Sequence, residues 1–153
     1  MATNNREVRT GGKRKTTKSS SARKPPRKVA RRPDAESARS LALAIAEAGL
    51  DKKALNVEII DVRGKVDYAD FVVVMSGRSD RQVNALARNI QEHVKKKERV
   101  DCIGVEGLPR GNWVLMDFGD VIVHIFHEDT RGYYDLESLW IDAARVQVEE
   151  AAR

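Results

Sequence analysis

At 153 residues the chain has room for one core of ordinary size, and its single cysteine, Cys102, excludes an internal disulfide and a cysteine-built zinc site. The net charge of +5 is uneven: residues 1–33 hold twelve Lys or Arg against one acid, Glu7, which leaves sixteen basic and twenty-two acidic residues in 34–153. A basic tail on an acidic body excludes taking the whole-chain charge as the partner preference of the fold, and no apolar run of eighteen residues exists to form a helix across a membrane.

The N-terminus lacks the apolar core of a secretory signal, so a soluble, cytoplasmic protein is the default. Residues 1–33 scatter a few Val and Ala among Lys, Arg, Ser, Thr, Gly and Pro, too little apolar surface to offset the entropy of ordering. They read as a disordered basic tail ahead of one domain, 34–153. Arg14, Lys15, Arg23, Lys24, Arg27, Lys28, Arg31 and Arg32 are its candidate contacts to RNA phosphates. An organelle transit peptide, which would make the protein organellar, and a passive solubilising tail are the alternatives.

The first element is a short amphipathic helix. Asp34 after Pro33 suits an N-cap, Leu41, Ile45 and Ala48 fall on one face, and Gly49 is expected to stop it. Leu55–Val62 and Phe71–Met75 read as strands, the second apolar throughout and therefore buried on both faces. Ser79 with Gln82 three positions on has the pattern of a capping box, and Val83, Leu86, Ala87, Ile90 and Val94 make the stripe of the helix that follows, closed by Lys95, Lys96 and Lys97 at its electronegative end. A short strand over Val100–Ile103 precedes a Gly- and Pro-containing loop, Gly104–Asn112. Trp113–Asp117 and Val121–Phe126 form a hairpin, with Gly119 able to take the positive φ of a tight turn. A helix from about Asp135, with Leu136, Leu139, Trp140, Ala143 and Val146 on one face, closes the chain. The order α-β-β-α-β-β-β-α predicts an α/β (α+β) fold: a mixed sheet of about five strands with helices packed on it.

Little chemistry is assembled by these elements. His124 and His127, with Asp117, Asp120, Glu128 and Asp129 near them in sequence, resemble metal ligands, but residues three apart on a strand point to opposite faces. No metal site and no cofactor is expected. Ser76-Gly77-Arg78-Ser79 could present backbone N–H groups to a phosphate at a helix start, though a helix cap is the commoner meaning of such a loop, and no carboxylate pair follows on a neighbouring strand to hold magnesium. No catalytic residue is assigned. A surface role fares better: Trp113 opens a strand beside the loop and Phe118 occupies a turn where a large ring is hard to bury, so both could anchor a basic protein partner within a rim of Glu106, Asp117 and Asp120. For Trp113 a place in the core remains an equal alternative.

Several segments occur together, in order: Asp61–Lys65 (DVRGK), Asp70–Val74 (DFVVV), Ser76–Ser79 followed by Arg81-Gln82-Val83, Val105-Glu106-Gly107, Trp113–His124 (WVLMDFGDVIVH) and Tyr133–Trp140 (YYDLESLW). Together they resemble the signature of the ribosomal silencing factor family, also called the Iojap family, over residues of about 37–143, with Phe118 where leucine is expected. The resemblance implies a nucleotidyltransferase-like fold without enzymatic activity. It also implies a translational repressor that binds the large ribosomal subunit at large-subunit protein fourteen and prevents subunit joining when nutrients are scarce. Partner contacts would fall on Trp113 and Phe118, and the free protein would be a homodimer. A nucleotide-binding or nucleotidyl-transferring enzyme using Ser76–Ser79, and an RNA-binding module acting through the tail, are the competing classes.

Overall fold

The structure is a computed structural model that describes residues 24–148, with side chains described from Glu36 onward. Its elements are α1 (Lys24–Asp51), β1 (Leu55–Asp61), β2 (Phe71–Gly77), α2 (Asp80–Glu98), β3 (Gly104–Glu106), β4 (Trp113–Asp117), β5 (Val121–His127), α3 (Glu128–Tyr134), a 3-10 helix (Leu136–Trp140) and β6 (Arg145–Val146). The chain divides into two compact units between Glu36 and Ser37, and the second unit holds the sheet and every side chain discussed below.

Six strands form one mixed sheet in the order β3-β4-β5-β2-β1-β6, where about five strands were expected. Only β2 and β5 run parallel; the other neighbours are antiparallel. The parallel pair is the centre of the sheet, and its near-continuous apolar sequences, FVVVMSG and VIVHIFH, reflect burial on both faces. Alternation then sorts the side chains. Val57, Ile59, Phe71, Val73, Met75, Val114, Met116, Val121, Val123 and Ile125 face a first core, whereas Ile60, Val72, Val74, Ile122 and Phe126 face a second.

The first core is sealed by helices. Ala38, Leu41, Ala42, Ile45, Ala46 and Ala48 of α1 and the stripe Val83, Leu86, Ala87, Ile90 and Val94 of α2 all join it. Ser79 caps α2, its Oγ accepting from the Gln82 N–H at 3.1 Å. The reciprocal bond is shifted by one residue: Gln82 Oε1 accepts from the Arg78 N–H at 2.6 Å rather than from Ser79. The second core is covered instead by the C-terminal segment, through Leu136, Trp140 and Ala143.

Four expectations are corrected. α1 begins at Lys24, so Asp34 lies inside it and is not its cap. Prolines 25 and 26 fall in its first turn, where a missing N–H costs no intrahelical bond. Gly49 does not end α1, which runs to Asp51; a Cβ there would stand 2.7 Å from the Met75 Sδ, so a larger residue would oblige the end of the Met75 side chain to move. The strand expected at Val100–Ile103 lies at Gly104–Glu106, where pairing of Val105 with Met116 fixes it on the hairpin. No long helix follows Asp135. That residue takes φ 47°, its N–H closes on the Arg131 carbonyl, and the chain leaves α3 for a 3-10 turn and an edge strand. Arg14, Lys15 and Arg23 lie outside the described residues, as do the side chains of Lys24, Arg27, Lys28, Arg31 and Arg32.

Candidate partner-binding surface

Hairpin register decides which of the proposed contacts meet. Trp113 pairs with Phe126, Leu115 with His124 and Asp117 with Ile122, while Glu106 pairs with Leu115 across the other edge. Paired residues share a face, so Glu106, Leu115, Trp113 and Asp117 all lie on the second side of the sheet. The 3-10 segment covers that side over β1, β2 and β5 and stops short of β3 and β4. Leu115 and Trp113 are consequently half-buried and Glu106 is exposed.

Trp113 has its indole held from two directions. Its Nε1–H donates to His124 Nδ1 at 3.0 Å, and its ring packs on Phe126 at 4.9 Å and on Tyr134 at 4.7 Å between centroids. Tyr133 meets Tyr134 edge-on at 5.0 Å. Asn112, Trp113, Asp129, Thr130, Tyr133 and Tyr134 line a groove of about 330 Å³. Tyr133 is 82% exposed and Tyr134 51%, so the wall of this groove on the α3 side stands in solvent. Trp113 is thus half-buried, packed against the second core and lining the groove beside Tyr134.

Phe118 is a correction. Its ring is 4% exposed and belongs to the first core, on the opposite side of the sheet from Trp113. The turn that seemed to display it instead directs it inward, because β4 ends at Asp117 and Gly119 takes φ 93°, closing the turn with the Phe118 N–H on the Val121 carbonyl at 3.0 Å. Asp117 spends a carboxylate oxygen on the Gly119 N–H at 2.8 Å. The Asp120 carbonyl accepts from the Asp70 N–H at 2.7 Å. Both aspartates stand at the far end of the hairpin from Trp113, about 13 Å of strand away at some 3.3 Å per residue. The structure therefore brings together Trp113 and Glu106 with Leu115 and Tyr134, turns Phe118 to the other side of the sheet, and leaves Asp117 and Asp120 at the end of the hairpin away from Trp113.

His124 is 8% exposed, and burial lowers its pKa to about 4. An imidazole that accepts the indole N–H at Nδ1 is neutral and carries its proton on Nε2, which agrees with that direction. His127 lies on the opposite face of β5, as strand geometry required, and its Nδ1 accepts from the Asp129 N–H at 3.2 Å, capping α3. Among the described residues no group of three or more His, Cys, Asp or Glu is placed to hold a metal ion. In the Ser76–Ser79 loop the Arg78 N–H and the Ser79 hydroxyl are engaged with Gln82, and Ser76 accepts from Arg131.

Sequence reasoning missed Leu115, Tyr134 and Arg131. Leu115 was discoverable, since a residue two past Trp113 on a strand shares its face. Tyr134 comes from a different element, and nothing in the spacing announced it. Arg131 is 8% exposed, and the chain carries no pattern that marks a cation for burial.

Comparison with known proteins gives the chain's family and fold relatives. Residues 35–153 match the family described as "Ribosomal silencing factor during starvation". The chain is 41% identical over 99 residues to a ribosomal silencing factor of Halalkalibacterium halodurans, covering 65% of this chain and 84% of that one. It is 42% identical over 93 residues to the corresponding Bacillus subtilis protein, covering 61% and 78%. A crystal structure of a Chromobacterium violaceum protein superposes with a TM-score of 0.66 at 34% identity, covering 73% of this chain and 92% of that one.

Proposed function

Because this chain belongs to the ribosomal silencing factor family, we propose that it is a translational repressor that docks on the large ribosomal subunit through large-subunit protein fourteen and blocks subunit joining when nutrients are limiting. The observation that carries this reading is the uncovered strip on the second side of the sheet. Trp113, Leu115 and Tyr134 offer apolar surface there, with Glu106 and Asp129 at the edges, the pattern of an aromatic anchor within a charged rim. A half-exposed indole wedged between a buried histidine and a tyrosine is a costly way to build a core and a suitable way to present a rigid anchor. Acidic character of the body favours a basic partner such as a ribosomal protein.

The role is regulatory and steric rather than catalytic. The loop that an enzyme would use for nucleotide phosphates has the Arg78 N–H and the Ser79 hydroxyl committed to the cap of α2, which disfavours the nucleotidyl-transferring alternative. The basic residues 14–32 are proposed to add contacts to nearby rRNA phosphates, and the protein is proposed to act in the cytoplasm, as a homodimer when not on the subunit. No helix among the described residues is long and apolar enough to cross a membrane. The test is sedimentation of the purified chain with separated subunits, followed by a subunit-joining assay. It should travel with large subunits alone and slow joining; binding only to small subunits, or to neither, contradicts the reading.

A further inference from the structure

We infer that Arg131 is a positioning residue for the docking surface, holding α3 so that Tyr134 stands against Trp113. The inference rests on the proposed use of that surface. α3 has seven residues, too few to be stable on its own, and Arg131 is the only one of them that is buried. No apolar side chain of this helix is buried, and its Tyr134 ring, packed on Trp113, remains half exposed. A guanidinium anchors the helix instead, and it reaches three separate elements.

Its Nη1 donates to the Asn56 carbonyl at 2.7 Å, to the Leu55 carbonyl at 3.4 Å and to the Ser76 hydroxyl at 3.0 Å. Its Nε and Nη2 both reach Glu137 Oε2 at 2.7 Å. The two carbonyls belong to the start of β1, where Asn56 has φ 50° and the register with β2 shifts between Leu55 and Glu58. Ser76 is the penultimate residue of β2, and Glu137 lies on the 3-10 helix. One side chain thus pins α3 to the end of the sheet and to the segment that follows it. Tyr134 is three residues on, with its ring 4.7 Å from Trp113. Arg131 itself is 8% exposed, too buried to offer a surface of its own, so its effect on binding passes through Tyr134. A lysine keeps the charge but cannot reproduce the planar fork that serves several acceptors at once.

The experiment uses the full chain labelled with 5-fluorotryptophan, and it measures fluorine NMR, thermal unfolding and affinity for purified large subunits in wild type, Arg131→Lys, Tyr134→Ala and the double variant. Expected for Arg131→Lys are a cooperative unfolding transition, a shifted Trp113 resonance and binding weakened at least about tenfold. The double variant should bind within about threefold of Tyr134→Ala alone, since both changes remove the same contact. An unmoved Trp113 resonance with wild-type affinity in Arg131→Lys, alongside weakened binding in Tyr134→Ala, overturns the role of Arg131 and leaves the docking surface standing. Wild-type affinity in Tyr134→Ala overturns the surface itself. Should Arg131→Lys not fold, Glu137→Gln, which removes one acceptor of the fork, decides by the same readouts.

Discussion

The two sides of the sheet are built by different means. One is closed by α1 and α2, whose regular apolar stripes cover it and bury even the ring of Phe118. The other is closed by the 3-10 turn and the residues just after it, through Leu136, Trp140 and Ala143, which leave Trp113 and Leu115 half-covered and Glu106 exposed beside them. The first side supplies stability, and the second carries the strip on which the proposed partner contacts fall. Two aromatic residues only five positions apart, Trp113 and Phe118, consequently have different surroundings because they fall on opposite sides.

The comparison is broken most forcefully by truncation on the sealed side. Phe118→Ala removes a buried ring and should cost about 3–5 kcal/mol of folding stability, read by thermal or denaturant unfolding. The molecules that remain folded should bind large subunits with wild-type affinity. Normal stability with lost binding would return Phe118 to the partner surface.

Acid comes next. His124 has a folded pKa near 4, below its ordinary 6.5, so the unfolded chain takes up the proton more readily. The neutral imidazole is fully tolerated above pH 6.5, and stability is lost as pH falls from there towards 4, reaching about 3 kcal/mol if the shift is fully expressed. His124→Gln, which keeps an acceptor for the Trp113 indole, should flatten that part of the stability profile. Equal slopes in both proteins would mean that the histidine is already charged in the fold.

The smallest expected change in free energy is on the open side. Trp113→Ala should weaken large-subunit binding by about 2 kcal/mol, some thirtyfold, and should cost less stability than Phe118→Ala because Trp113 is only half-buried. Binding unchanged in a folded Trp113→Ala protein would move the site elsewhere.

How far the sequence carried this follows the same division. The amphipathic α2, its Ser79 cap, the β2 strand and the β4–β5 hairpin were all legible, because each is specified by local periodicity or by turn chemistry. The covering of the second side was not. α3 is anchored by one buried cation instead of a stripe, and the apolar residues from Leu136 to Val146 mimic a helical face although Asp135 in the left-handed region breaks the helix ahead of them. Trp113 and Glu106 do fall on one face, Glu106 pairing with Leu115 two residues from Trp113. Phe118 was misplaced because the direction of a turn residue depends on which side of the sheet the turn closes over, a tertiary fact with no local signature.

The most direct test is radical footprinting of the full chain with and without purified large subunits. The account predicts protection of Trp113, Leu115 and Tyr134 on binding, with exposed Leu43 on α1 unchanged. Protection of Leu43 with Trp113, Leu115 and Tyr134 left as reactive as in the unbound protein would contradict it.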